Sequence, residues 1–382
     1  MRRHRLVALL LSGLALTPAA AAQSSQFGVR GLGIPMRPLS VRAFATGGAF
    51  GLFDSESGIN PSSFGLITAV TATFQSVQNW RSSTTPAGTG SARDNRFPAI
   101  VVAGPVGASR FSLGLSVSGY TDRNFSLASV DTLVLRGVDV ETFDTLRSEG
   151  GLSDLRIAGA WAPSSRLQIG VGLHMITGSN RIDSRRVFSD TAYASAAERF
   201  TVSYLGFGLS GGVTARVGRA LTLAGAVRYD GQLRVERDSV PVSDTRLPLT
   251  VTAGARMQFG ERLLGAAYAV RRTWSRSNAD LVAQGGIGSD DTAEFGIGLE
   301  RISDPRRPAH RPIRLGFRRG SLPFPLEAGQ EIVETGVSLG TGFRFIGDRA
   351  GLDLALERVW RDGGAGFSET ATLFHVGVTL RP

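Results

Sequence analysis

The chain has no cysteine among its 382 residues. That excludes disulfides, thiolate metal sites, a cysteine nucleophile and a lipid-modified N-terminal cysteine. Lysine is absent too, so all 42 basic residues are arginine. No stretch reaches eighteen consecutive apolar residues, so the sequence encodes no transmembrane helix. The net charge of +10 is scattered without a long basic run, which argues against nucleic acid as a partner. Walker loops, His-Glu-x-x-His helices, EF-hand loops and Gly-x-Ser-x-Gly elbows are all missing. Only four histidines occur. His310 falls in a Pro-Arg turn, while His174 and His375 fall in strand-like runs where a histidine is ordinarily a structural hydrogen-bonder. The expectation is a protein that is not an enzyme and needs no metal or other cofactor.

What is present begins with a leader. Arg2, Arg3 and Arg5 precede an apolar core, Leu6 to Leu16, too short to span a bilayer. Ala20, Ala21 and Ala22 then offer a small-residue cleavage site. Residues 1–22 therefore read as a secretory signal peptide, and its loss takes the net charge to +7. Beyond it, glycine is abundant at 49 residues and phenylalanine dominates the aromatics at 21.

From residue 68 onward apolar residues alternate with period two, the period of a strand. Fourteen such runs can be counted to Pro382. In Leu221–Asp230 one face is Leu221, Leu223, Val227 and Tyr229; the other holds Thr222, Ala224, Ala226, Arg228 and Asp230. A soluble sandwich would alternate in the same way. The connections separate the two readings. Short turns such as 218–220 and 260–262 alternate with long polar segments such as 81–96, 122–151, 179–200 and 231–247. An up-and-down barrel with tight turns at one rim and loops at the other produces that order. Trp80, Trp161, Tyr229, Phe259, Trp274, Phe345 and Trp360 stand at strand ends, as interfacial girdles require. The fold expected over 68–382 is an all-β, transmembrane, antiparallel barrel of about fourteen strands in the outer membrane of a bacterium, with both termini periplasmic.

Residues 42–64 read RAFATGGAFGLFDSESGINPSSF. The stretch is too long for an ordinary connection and holds three turn-forming clusters. Arg42-Ala43, Gly47-Gly48-Ala49, Asp54 and Asn60-Pro61-Ser62 together resemble the N-terminal hatch of the FadL/TodX-type outer-membrane transport family. Ser62 departs from that pattern, where alanine is usual. The resemblance implies a hatch over 23–67 that plugs a fourteen-stranded barrel, with Arg42, Gly47, Gly48, Asp54, Asn60 and Pro61 as its key residues. It also implies passive uptake of hydrophobic small molecules, long-chain fatty acids or hydrocarbons. Relatives of the same fold, of the PorV type, instead serve as partners in protein secretion, and that alternative stays open. The C-terminal run from Phe374 to Leu380 resembles the signal by which barrel-assembly machinery inserts such proteins. The expected partners are thus the bilayer, an apolar ligand and that machinery, with the protein itself a monomer.

Three finer expectations follow. Strand parity sends Arg156, His174, Arg216, Arg228, Asp230, Arg256, Arg271, Glu294, Glu300, Arg314, Glu334, Arg344, Asp353, Glu357 and His375 into the lumen. Such charges pair with one another and with the plug, or else Arg228, Arg256 and Arg271 bind a ligand carboxylate together. Pro98 and Pro105 bracket the second strand; they mark either its ends or a break in the wall that opens a sideways exit. Segment 122–151 is too apolar for a solvated loop and reads as a folded cap or as a first landing point for substrate.

Overall fold

A computed structural model describes residues 25–86 and 88–382; the expected leader lies outside the described residues. Fourteen antiparallel strands form one closed wall. They are β1 Thr71–Thr85, β2 Gly88–Arg96 resumed as Ala99–Pro105, β3 Phe111–Asp122 resumed as Phe125–Leu135, β4 Val138–Ser164, β5 Leu167–Phe188, β6 Ala196–Val217 and β7 Leu221–Arg237. The circuit continues through β8 Val240–Arg246 resumed as Leu249–Phe259, β9 Leu263–Arg272, β10 Thr292–Arg301, β11 Ile313–Leu322, β12 Ile332–Phe345, β13 Ala350–Asp362 and β14 Ser368–Leu380. Pairing of β14 with β1, from Ser368 opposite Thr84 to Leu380 opposite Ala72, closes it.

The expected inversion of faces is present. On β7, Leu223, Val227 and Tyr229 are exposed, while Ala224, Ala226 and Asp230 are buried. Apolar side chains point outward around the whole wall, as a lipid-facing surface requires. Two aromatic levels bound this band. Phe111, Trp161, Phe259 and Phe345 stand near the rim of short turns, and Trp80, Tyr229 and Trp360 near the other. Trp274 was expected in this girdle and is not there. It is 2% exposed and turned inward, because the chain leaves β9 at Arg272 and folds over the lumen.

The wall is uneven in height. The ten residues of β9 give about 33 Å of strand, or about 25 Å of height at the usual tilt, enough to cross a membrane. The 27 residues of β4 give about 89 Å. Segments 81–96, 122–151, 179–200 and 231–247 are therefore largely hairpin ladder and not loop. Leu127 faces Leu146 and Val130 faces Phe143 in an extension of β3 and β4, which β5 and β6 continue, so segment 122–151 is part of a projecting sheet and not a cap. Strand hydrogen bonds persist above the apolar band, where water bathes both faces and polarity no longer alternates.

One seam interrupts the wall. The lower half of β2 pairs with β3 from Pro105 opposite Ser112 to Ala99 opposite Ser118. Gly119 donates a last hydrogen bond to Pro98 O, at 3.0 Å. Above that point β2 pairs only with β1, and the upper half of β3 pairs only with β4. Proline has no N–H to continue the ladder. Thr121 and Asp122 of β3 pair instead with Pro35 and Ile34 of the N-terminal segment.

Candidate functional site: the lumen and its N-terminal segment

Residues 25–67 pack against the inner face of the barrel. Ser40 caps the short helix Val41–Phe44, its Oγ accepting from Ala43 N–H at 3.0 Å and donating to Asp54 at 2.7 Å. Gly47 and Gly48 follow with φ of 63° and 95°, a region that favours glycine. Their turn lies backbone to backbone on the wall. A Cβ on Gly316 of β11 would sit 2.0 Å from Gly47 N.

Asn60 holds the next turn in four directions. Its Oδ1 accepts from Ser62 N–H at 3.0 Å and from the Ser62 hydroxyl at 2.8 Å. Its Nδ2 donates to Leu52 O at 2.9 Å and to Thr214 Oγ1 of β6 at 3.0 Å. Pro61 opens the 3-10 helix Pro61–Leu66, where its missing N–H costs nothing. Gly212 and Gly170 admit this pair: a Cβ on Gly212 would meet Asn60 Oδ1 at 2.0 Å, and one on Gly170 would meet Pro61 C at 2.4 Å.

The opposite wall holds the segment by charge. Arg42 makes a two-pronged contact with Glu300 of β10, at 2.9 and 2.6 Å. Arg314 of β11 bonds the same carboxylate at 2.8 Å and Asp353 of β13 at 2.6 Å, and Arg344 reaches Asp353 at 2.8 Å. Arg37 donates to Glu357 of β13 at 2.6 Å, beside Arg318 at 2.8 Å. Arg318 also pairs with Glu334, Arg361 bridges Glu334 to Glu369, and Ser25 donates to Glu369 at 2.7 Å. Phe44 stacks on His375 with centroids 4.1 Å apart. The segment's one strongly perturbed acid is Glu56. Burial, with Asp54 and Asp353 nearby, pushes its carboxyl up to about 7, against the pull of Arg344 and Arg381.

The remaining lumen contains two adjoining chambers of about 90 and 120 Å³. Pro35, Met36, Arg37, Arg272, Trp274 and Glu294 border both. The larger also touches Arg96 and Pro98 of the seam. An apolar cavity of about 150 Å³ accepts a benzene ring, so the pair suits a molecule of that order. Trp274 packs edge-on against Phe324, with centroids 5.1 Å apart, and joins Leu247, Leu281 and Leu233 in an apolar cluster. The buried Trp274 indole N–H has no acceptor among the described residues. Arg96 and Asp122 face each other across the seam at 2.6 Å.

Of the three arginines expected to share a carboxylate, only two face inward. Arg228 lines the smaller chamber and is already paired with Asp230 at 2.8 Å and Asp154 at 2.5 Å. Arg256 lies over the Phe53 ring at 5.3 Å, beneath the segment. Arg271 is an outward residue, 64% exposed and paired with Asp291. The inward row of β9 is Ala266, Tyr268, Val270 and Arg272. Alanines at 266, 267 and 269 blur the alternation there, so sequence parity slipped by one and Arg272 holds the lumenal place. Arg216 points inward at the turn rim but is exposed. The seam pair Arg96–Asp122 escaped sequence reading because both residues stood in expected loops.

A closed fourteen-stranded barrel with a membrane-height apolar band and an N-terminal segment inside its lumen defines the class: a transmembrane β-barrel. Solved structures share the fold over nearly the whole chain. A Pseudomonas aeruginosa FadL homologue aligns with a TM-score of 0.63 and 13% identity, covering 91% of this chain and 99% of its own. The P. putida toluene transporter TodX aligns at 0.59 and 13%, covering 91% and 99%. The CymD monoaromatic hydrocarbon channel aligns at 0.56 and 14%, covering 94% and 99%. No family model and no curated protein matches the chain.

Proposed function

We propose that this protein is an outer-membrane channel for passive passage of small hydrophobic molecules, with hydrocarbons of about one ring favoured over long-chain fatty acids. The observation that carries the reading is a lumenal chamber that reaches a break in the wall: Met36, Phe44, Trp274 and Leu322 line it beside paired arginines and glutamates, and it touches Arg96 and Pro98 of the seam. The solved channels of the same fold are named for toluene and monoaromatic hydrocarbons, which supports the ligand class. A molecule enters at the tall rim, passes the Trp274–Phe324 cluster and rests in the chambers. Its own concentration gradient drives it, so neither nucleotide nor metal is needed. The termini face the periplasm, the protein acts as a monomer, and assembly machinery inserts it through the C-terminal strand.

Two exits compete. One runs past the N-terminal segment, acting as a hatch that loosens near Asn60-Pro61. The other runs sideways through the seam into the bilayer. The seam is favoured on energetic grounds. Freeing the segment parts Arg37 and Arg42 from buried carboxylates, and breaking buried pairs costs about 3–5 kcal/mol each. Opening the seam parts one ion pair of similar burial, Arg96–Asp122, so it costs one such break against two. Pro98 lies below the level of Trp80, so the seam opens within the lipid-facing band.

The natural absence of cysteine makes the test clean. In the double variant Arg96→Cys, Asp122→Cys, a short bis-maleimide ties the seam shut. Uptake of labelled toluene by expressing cells is expected to fall to the empty-vector level; undiminished uptake would remove the sideways exit. Native mass spectrometry with solvent extraction is expected to find a bound apolar small molecule. The projecting sheet, with Val130, Val134 and Val138 exposed, favours a second reading as a secretion partner. A stoichiometric partner protein in place of the small molecule would establish that reading.

A further inference from the structure

Three inward side chains have a geometry that passage of hydrocarbons does not use. Asp154 stands on β4, His174 on β5 and Ser210 on β6, and all three are buried. His174 Nδ1 lies 2.9 Å from Asp154 Oδ1, and His174 Nε2 lies 2.8 Å from Ser210 Oγ. A carboxylate beside Nδ1 holds the proton there, which leaves Nε2 as the acceptor facing the serine hydroxyl. Nucleophile, base and orienting acid are then connected in the order that acyl transfer requires.

A second observation is independent of these distances. Arg228 is the cross-strand neighbour of Ser210, and Arg156 is that of His174. Such neighbours leave the wall about 5 Å apart. Each guanidinium has one buried nitrogen, Nη2, without an acceptor among the described residues, and Arg156 is only 3% exposed. Backbone N–H groups in a strand ladder are already used, so an oxyanion here must rely on side-chain donors. The unpaired Nη2 of Arg228, on the residue paired with Ser210, supplies one. Gly172 is the other cross-strand neighbour of Ser210, and a Cβ there would lie 2.6 Å from Ser210 Oγ, so glycine at 172 is what lets the hydroxyl stand beside His174.

We infer that Ser210, His174 and Asp154 form an esterase site in the lumen that cleaves small esters of apolar acids or alcohols. Asp154 and Arg228 also border the smaller chamber, whose volume of about 90 Å³ admits a short acyl chain or a ring and not a phospholipid. Ser210 Oγ bonds to the ester carbonyl carbon while His174 Nε2 takes its proton. The carbon–alkoxide bond then breaks, and His174 returns the proton to the departing alcohol. Water repeats the sequence, releasing the carboxylic acid and restoring Ser210. Asp154 is a positioning residue throughout.

This inference is independent of the channel reading, and its readouts do not measure passage. Purified full-length protein in detergent is offered p-nitrophenyl butyrate and, separately, a fluorophosphonate probe. Hydrolysis is expected, with probe mass on the peptide containing Ser210. Ser210→Ala should reduce hydrolysis to the detergent blank while keeping the heat-modifiable gel band of a folded barrel. His174→Ala should slow labelling by roughly 10²–10⁴-fold. In the native protein labelling should quicken as pH rises through the range where imidazole loses its proton, and Asp154→Asn should flatten that rise. A folded native protein that neither hydrolyses the ester nor labels at Ser210 overturns the inference. So does hydrolysis that persists in folded Ser210→Ala.

Discussion

The two sides of the lumen hold the same segment by different physics. Along β10 to β14 the contacts are ionic: Arg37 and Arg42 enter networks whose carboxylates are buried and shared with Arg314, Arg318 and Arg361. Along β2 to β7 they are mostly neutral, apart from Arg156 of β4, which donates to Gly58 O at 2.8 Å and lies over the Phe64 ring. Asn60 and Ser62 meet Thr214, Phe64 packs among Val101, Ala103, Ala158 and Ala160, and glycines let backbones touch. The ionic side is the short wall with continuous pairing. The neutral side carries the tall hairpins, the seam and the Ser210–His174–Asp154 relay. Buried ion pairs fix position but are costly to break, whereas neutral contacts let a wall shift. The fold thus separates anchoring from movement.

The comparison is tested most severely at Glu357. Replacing it with alanine leaves Arg37 and Arg318 facing each other without their shared carboxylate. The expected loss is about 3–5 kcal/mol, read as a lower unfolding temperature in detergent. Faster hydrogen exchange should also appear at residues 37–48. A loss below about 1 kcal/mol would mean that the ionic side does not anchor the segment.

Glu56 is the point at which the ionic side can be titrated. Thr379 donates to it at 3.1 Å, Arg381 lies at 3.9 Å, and Asp54, Asp353 and Arg344 face it from the segment, β13 and β12. Its seated carboxyl loses its proton near 7, against an ordinary value of 4.5. The seat therefore binds the proton more tightly than the released segment does. Seating is strongest below 4.5, weakens as pH rises to about 7, and is level above that. The full swing is up to about 3 kcal/mol. Glu56→Gln should remove it: exchange at residues 54–58 should match the native protein at pH 4 and be slower than it at pH 8. Equal rates at both pH values would mean that the seat holds the Glu56 proton no more tightly than the released segment does.

Much of this division was unreadable in the sequence for a physical reason. Within the membrane band each residue faces lipid or lumen, so β7, β10, β12 and β13 were legible from alternation alone. The hatch-like stretch was legible because its glycines and Asn60-Pro61 serve local turns. Above the band, Ser82 or Asp131 meets water whichever way it points, and the projecting hairpins lost their signal. Arg96 and Asp122 disappeared with them. The relay was hidden differently. Asp154, His174 and Ser210 lie on three strands, and their meeting depends on ladder register, which no local motif encodes.

Asn60 sharpens the comparison from the neutral side. Alanine there removes two donated and two accepted hydrogen bonds, leaving Leu52 O, Ser62 N–H and Thr214 Oγ1 to find other partners. These are neutral groups, so the expected cost is about 1–2 kcal/mol, less than at Glu357. Exchange at residues 58–66 should quicken by roughly ten-fold. Residues 40–48, held by Arg42 and by the Gly47 turn on β11, should keep their native rates. The Asn60-Pro61 turn contacts β5 and β6 and not the seam between β2 and β3, so toluene uptake should stay level. If both stretches quicken together, the segment moves as one body and the separation of anchoring from movement is lost.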